Sequence, residues 1–188
     1  MRNALTICIA LVIAGCSSQA YRDTQEGAFS GAIDVRWIKN DYFLFIPNKD
    51  DPFTFTRSDG RTIQPGAMYT DGGSIPRFFW GVKGFSPWGY APAYIVHDWL
   101  FVAQHCDYPP DNQFTFEESA LILAEALKTI METDTSTRSY FAFNSIYDAV
   151  KTPIAENLWD NGTCNPPIDN LDSFGEQPGK LIMTIRFK

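Results

Sequence analysis

The apolar residues of this chain fall in strand-like runs near the N-terminus and at helical spacing through its middle, a pattern that predicts a fold in which strands and helices are segregated. Between Gly31 and Thr62 they fall in short aromatic or β-branched runs, Ala32 to Ile38, Tyr42 to Ile46 and Phe53 to Thr56. Turn residues such as Lys39-Asn40 and Pro47-Asn48 separate the runs. Phe53-Thr54-Phe55-Thr56 alternates with period two, so its phenylalanines face a core and its threonines face away. Ser58-Asp59-Gly60 reverses the chain into a further short strand, Arg61 to Gln64.

From Pro92 onward the period is helical. A first helix is expected from about Pro92 to Gln104, stopped by Pro109-Pro110. A second opens on Thr115-Phe116-Glu117-Glu118, which has the form of a capping box. It continues through Phe116, Ala120, Leu123, Ala124, Leu127, Ile130 and Met131 at helical spacing. A third is expected from about Ser136 to Val150, stopped by Pro153. Asn157 to Lys180 reads as a polar connection, and Leu181 to Phe187 as a closing strand that joins the N-terminal sheet. The expected class is α+β, a small antiparallel sheet of N-terminal strands plus the C-terminal strand, packed with three helices.

The first residues are not part of that domain. Ala4 to Ala14 is an apolar run of eleven residues, about 16 Å long as a helix against the roughly 30 Å of a bilayer core, so it reads as an export signal. The run leads into Ile13-Ala14-Gly15-Cys16, which resembles the lipobox of bacterial lipoprotein precursors. That resemblance implies cleavage before Cys16 and lipidation of its thiol, with residues 1–15 as signal peptide. The competing reading is a secretory signal cut after Ser18-Gln19-Ala20. Ser17, where lipoproteins of this kind retained in the inner membrane usually have Asp, implies the periplasmic face of the outer membrane. Residues 16–27 are polar and without apolar periodicity, which reads as a tether, and residues 28–188 form the single globular domain.

Export decides the chemistry of the cysteines and the choice of partners. Cys8 leaves with the signal and Cys16 is lipidated, so Cys106 and Cys164 remain in an oxidising compartment and are expected to pair, closing a loop of about 59 residues. In the chain-entropy picture such a bridge stabilises by about 4 kcal/mol. The net charge of −7 becomes one unit more negative when Arg2 is removed, which argues against a nucleic-acid partner. The expected contacts are a membrane, through the anchor, and envelope material or protein.

Only two histidines occur in the chain, His97 and His105. His-Glu-x-x-His, Gly-x-Ser-x-Gly and the phosphate-binding Gly-x-x-x-x-Gly-Lys are all absent from the sequence. Two segments stand out instead, Thr70-Asp71-Gly72-Gly73-Ser74-Ile75-Pro76-Arg77 and Val96-His97-Asp98-Trp99-Leu100-Phe101. In these segments the chain resembles a family of bacterial and phage proteins known as domain of unknown function 1353. Its members share a Thr-Asp-Gly-(Ala or Gly)-Ser-(Ile or Val)-Pro-Arg loop and, about twenty residues later, a His-Asp-x-Leu-(Tyr or Phe) helix. The resemblance spans roughly Gly31 to Val150 and implies an α+β domain with a site built from Asp71, Ser74, His97 and Asp98. It implies no particular activity. Where the family often has Ala-Asp early in the next helix, this chain has Ser119-Ala120, and Glu117, Glu118 and Asp148 are the acids available to replace the missing partner.

Each of these residues also has a structural reading. Asp71 and Ser74 are the residue types that cap a helix starting at Pro76-Arg77. His97-Asp98 with Phe101 is similar to the His-Asp pair of secreted calcium-dependent phospholipases, in which the imidazole activates water and the carboxylate binds calcium. On that reading Asp98 and Asp71 are the metal ligands and calcium the cofactor. The glycine-rich calcium loop of those enzymes has only a poor counterpart in Trp88-Gly89-Tyr90, and their second Asp has no assigned equivalent. The structural alternative makes His97 a buried hydrogen-bonding residue and Asp98 a surface charge. His105 reads as a helix-end cap beside the disulfide. The aromatic run Phe78, Phe79, Trp80, Phe85, Trp88 and Tyr90 reads as core under long loops, or as a lid or membrane-facing wall. Two functions follow from the sequence: a hydrolase-like lipoprotein acting on envelope material with His97 as base, or a non-catalytic envelope binding protein of prophage type that takes part in phage exclusion.

Overall fold

A computed structural model of the protein describes residues 19–39, 42–70, 89–168 and 178–187. Strand β1 (Ala28–Lys39) is the spine of a six-stranded sheet that also contains β2 (Tyr42–Pro47), β3 (Thr54–Thr56), β4 (Thr62–Ile63), β5 (Met68–Thr70) and β6 (Lys180–Phe187). The helices are α1 (Ala91–His105), α2 (Phe116–Thr133), α3 (Tyr140–Ala149) and α4 (Pro153–Asn161). All named strand pairs are antiparallel, so the expected α+β class holds. The C-terminal strand joins the N-terminal sheet as expected, with β6 running along Gly31 to Trp37 of β1.

β1 reaches three partners because its backbone turns at Gly31. Residues Ala28 to Ser30 pair with β3, whereas Ile33 to Lys39 pair with β2. Gly31 has φ +77°, and a Cβ there would lie 2.1 Å from the Pro52 carbonyl oxygen. Only glycine fits, for backbone angle and for space. Phe53 and Phe55 are fully buried, as their alternation requires; Phe29 stacks on Phe53 and on Phe187 and meets Phe55 at a tilt.

Helix α2 lies against this sheet and against α1, and its N-terminus forms as the sequence predicts. The Thr115 side chain accepts from the Glu118 N–H while the Glu118 carboxylate accepts from the Thr115 N–H. A bidentate pair locks the helix to the β3–β4 turn. Arg57 Nε and Nη2 each donate to Glu125 at 2.8 Å, with both side chains at most 5% exposed. The hydrogen bonds to Glu125 push the Arg57 guanidinium above its ordinary range, so Arg57 stays charged in the folded protein.

Three features differ from the sequence expectation. The third helix begins later than Ser136, because Asp134 caps a single 3₁₀ turn over Thr135–Thr137 and Ser139 then caps α3. A fourth helix, α4, occupies part of the expected polar connection: Thr152 is its N-cap and Pro153, read as a stop, sits in its first turn. Part of the expected tether is folded, since residues 19–23 are helical and Tyr21 is 3% exposed. The Cys106–Cys164 disulfide is present, with Cα atoms 4.7 Å apart, and ties the end of α1 to the chain beyond α4.

Gly31 and Gly60 separate backbone strain from steric clash. Gly60 also has positive φ, at +87°, but nothing lies within 4 Å of its virtual Cβ. Gly60→Ala is expected to cost about 1 kcal/mol in urea denaturation, and Gly31→Ala at least about 3 kcal/mol. Equal losses would mean that the Pro52 contact gives way without cost.

Candidate functional site

Three consecutive residues of α1 reach three different places. Ala91 to His97, Trp99, Leu100 and Ala103 of this helix are out of solvent, whereas Asp98, Gln104 and His105 are half-buried. His97 points into the interior and is 3% exposed. Its ring lies edge-on to Phe101 at 5.2 Å, and Phe101 in turn meets Trp159 of α4 at 5.0 Å. Burial pushes the His97 pKa down to about 4, so the ring is neutral at physiological pH.

Asp98 lies on the side facing β5. The Thr70 hydroxyl donates to Asp98 Oδ2 at 2.7 Å. Thr70 is the first residue of the Thr-Asp-Gly-Gly-Ser segment, so this bond joins the two stretches that the sequence singled out. Asp71 and Ser74 themselves, like the aromatic residues from Phe78 to Trp88 and the lipidation candidate Cys16, lie outside the described residues. Beside Asp98, the Tyr94 hydroxyl is buried with no hydrogen-bond partner among the described residues. Desolvation, with the nearby Asp98 charge adding to it, raises its pKa well above the ordinary range.

Trp99 faces a third region that sequence reasoning missed. Its indole N–H donates to Asp111 Oδ2 at 2.6 Å, and the Gln64 N–H approaches the same oxygen at 3.4 Å. Asp111 is 4% exposed, and desolvation raises its pKa despite those two donors. Above it opens a cleft of about 540 Å³ walled by Pro47, Lys49, Pro65, Trp99, Tyr108 and Pro110. Tyr108 is 38% exposed and lies edge-on to Trp99 at 5.4 Å. Prolines give the wall few internal degrees of freedom, and the aromatic residues supply an apolar surface with polar atoms at its edge. In the sequence Tyr108-Pro109-Pro110-Asp111 read only as a helix stop, because nothing local reveals that Asp111 is drawn inward.

The acids that the sequence offered in place of the family's Ala-Asp carboxylate are engaged in other contacts or exposed. Glu118 completes the capping box and accepts from Arg61 Nη1 at 2.8 Å. Asp148 pairs with Lys151 at the surface, at 3.1 Å. Glu117 is exposed in the first turn of α2, and Ser119 donates its hydroxyl back to the Phe116 carbonyl. His105 is the helix-end residue the sequence implied, but the helix whose carbonyls it meets is α4. Its Nε2–H donates to the Leu158 and Trp159 carbonyls at 3.0 Å each, beside the disulfide. Among the described residues no group of three or more His, Cys, Asp or Glu side chains is gathered to hold a metal ion.

The fold and these motifs define an α+β domain in which a His-Asp helix is bonded to the start of a Thr-Asp-Gly loop. The family model described as "Protein of unknown function (DUF1353)" matches residues 50–142, a stretch that contains both motifs, the Arg57–Glu125 pair and Asp111. No curated protein and no solved structure matches the chain.

The buried imidazole gives a pH signature with a definite sign. The folded pKa of about 4 lies below the ordinary 6.5, so between these values the unfolded chain binds a proton that the folded chain does not. Stability is expected to fall by roughly 3 kcal/mol as pH drops from about 6.5 to about 4. Denaturation of the wild type and of His97→Gln across this window should show that component only in the wild type. Parallel pH profiles would place His97 in contact with water.

Proposed function

We propose that this protein is a lipoprotein held by Cys16 at the periplasmic face of the outer membrane, and that it works there as a binding protein for envelope material. The observation that carries the reading is the contrast along α1. His97, the base any hydrolytic scheme would use, is closed off at 3% exposure against Phe101, while two residues further on Trp99 and Asp111 underlie an open cleft. A general base must come within hydrogen-bond reach of the water or substrate it activates. Rigid walls, an exposed tyrosine and a few buried polar atoms are instead what ligand sites are built from. The acidic charge and the capping and packing roles of Glu118, His105 and Asp148 fit a binding protein equally well.

The hydrolase-like reading keeps one observation in its favour, the Thr70–Asp98 bond that joins its two motifs. On that reading His97 is the base, Asp98 and Asp71 hold calcium or orient the imidazole, and Ser74 is a polar contact.

The two readings separate in one experiment. The purified lipoprotein is incubated with isolated peptidoglycan and with phospholipid vesicles, with calcium or chelator, and both bound protein and released products are measured. Binding without product release is expected, with affinity for the peptidoglycan reduced about tenfold by Tyr108→Ala. Release of products that is abolished in His97→Gln would replace this reading with the hydrolase.

A further inference from the structure

The N-terminal helical turn fixes where a lipid anchor must meet the domain. Tyr21 packs edge-on against Tyr140 at 4.9 Å and Phe143 at 5.0 Å, and its hydroxyl donates to Glu132 at 2.7 Å. Lys128 Nζ sits 5.2 Å from the centre of the Tyr21 ring and donates to the Thr24 carbonyl at 2.8 Å. The chain is therefore held to the ends of α2 and α3 from its first described turn. Only Ser17 and Ser18 separate the anchor position Cys16 from Gln19, and the three residue steps between them span at most about 11 Å. A domain tied this closely cannot turn away from the surface that holds its anchor.

At this corner of the fold α3 begins with two exposed aromatic residues, Tyr140 at 43% and Phe141 at 68%. We propose that Tyr140 and Phe141 seat the domain on the phospholipid surface beside the Cys16 anchor, so that the domain stands on the membrane in one orientation. The proposal rests on the lipidation of Cys16. Aromatic side chains with an apolar body suit the boundary between headgroups and acyl chains, and burial of a second apolar group next to an anchor converts a tether into a seat. Tyr21 adjoins Glu132 in the last turn of α2, whereas Asp111 opens the 3₁₀ turn that leads into the N-terminus of that helix. Helix α2 has 18 residues and is about 27 Å long. The seat and the Asp111 side of the cleft are thus at opposite ends of α2.

The test uses the full lipoprotein reconstituted in phosphatidylethanolamine and phosphatidylglycerol vesicles with brominated acyl chains. Phe141→Trp places a reporter at the seat and Tyr108→Trp places one at the cleft, each compared with the wild type for the signal of the native tryptophans. Thermal melting confirms that both variants are folded, and palmitate labelling with a Cys16→Ser control confirms the anchor. The expected result is a blue-shifted added emission for Phe141→Trp, quenched at least about twofold by the brominated chains, and none of that quenching for Tyr108→Trp. If the protein is labelled and vesicle-bound but both reporters are unquenched, or equally quenched, the seat is overturned while the anchor stands. If no label enters the wild type, the anchor reading fails and the seat fails with it.

Discussion

Burial of α1 is the constraint from which the rest of the described structure follows. Ten of its fifteen residues are buried, so a polar group on its inward side must be neutral or must meet a partner inside the protein. His97 satisfies this by remaining an uncharged ring packed on Phe101. Asp98 takes the Thr70 hydroxyl and thereby fixes the end of β5, and Trp99 gives its indole N–H to Asp111. His105 leaves the helix end to meet the carbonyls of α4, where the disulfide holds the same junction covalently. One helix meets the end of β5 at Thr70, the cleft floor at Asp111 and the fourth helix through His105.

What encloses α1 is α2, and what holds α2 to the sheet is the Arg57–Glu125 pair. Two parallel charge-assisted hydrogen bonds satisfy both charges at once, which is the condition for a buried ion pair to persist. Loss of one partner alone leaves an uncompensated charge, at a cost of about 3 to 5 kcal/mol. Arg61, Asp59 and Glu118 extend the pair to the surface through Arg61–Glu118 and Arg61–Asp59 contacts of 2.8 and 2.9 Å. These groups lie within the family-matched stretch, so the pair belongs to the same domain as the two motifs.

Much of this architecture was legible in the sequence because it depends on local patterns. The capping box at Thr115 and Glu118, the alternation in Phe53 to Thr56 and the β-branched closing strand each state their structure within a few residues. The cysteine pairing was legible by elimination. The fourth helix was not, because Thr152-Pro153 can be read as a stop for α3 or as a cap and first turn for α4, and only packing of Trp159 decides. Tyr21 was read as tether because a single helical turn has no period to detect. Thr70 and Asp111 escaped for a different reason, since their roles come from partners 28 and 47 residues away in the chain. The family resemblance implied a site of Asp71, Ser74, His97 and Asp98; the Thr70–Asp98 bond joins the described start of one segment to the other, while Asp71 and Ser74 lie outside the described residues.

The central claim is that His97 is part of the core and the chain's ligand meets Trp99 and Asp111 instead. The most direct measurement is an NMR titration of the His97 ring from pH 8 to pH 3.5, repeated with peptidoglycan fragments present. The account predicts a ring that stays neutral until about pH 4 and whose resonances do not respond to the fragments, while those of Tyr108 do. A His97 ring that titrates near 6.5 and shifts on addition of the fragments would contradict it, and would put a water-accessible base where this account has a packed side chain.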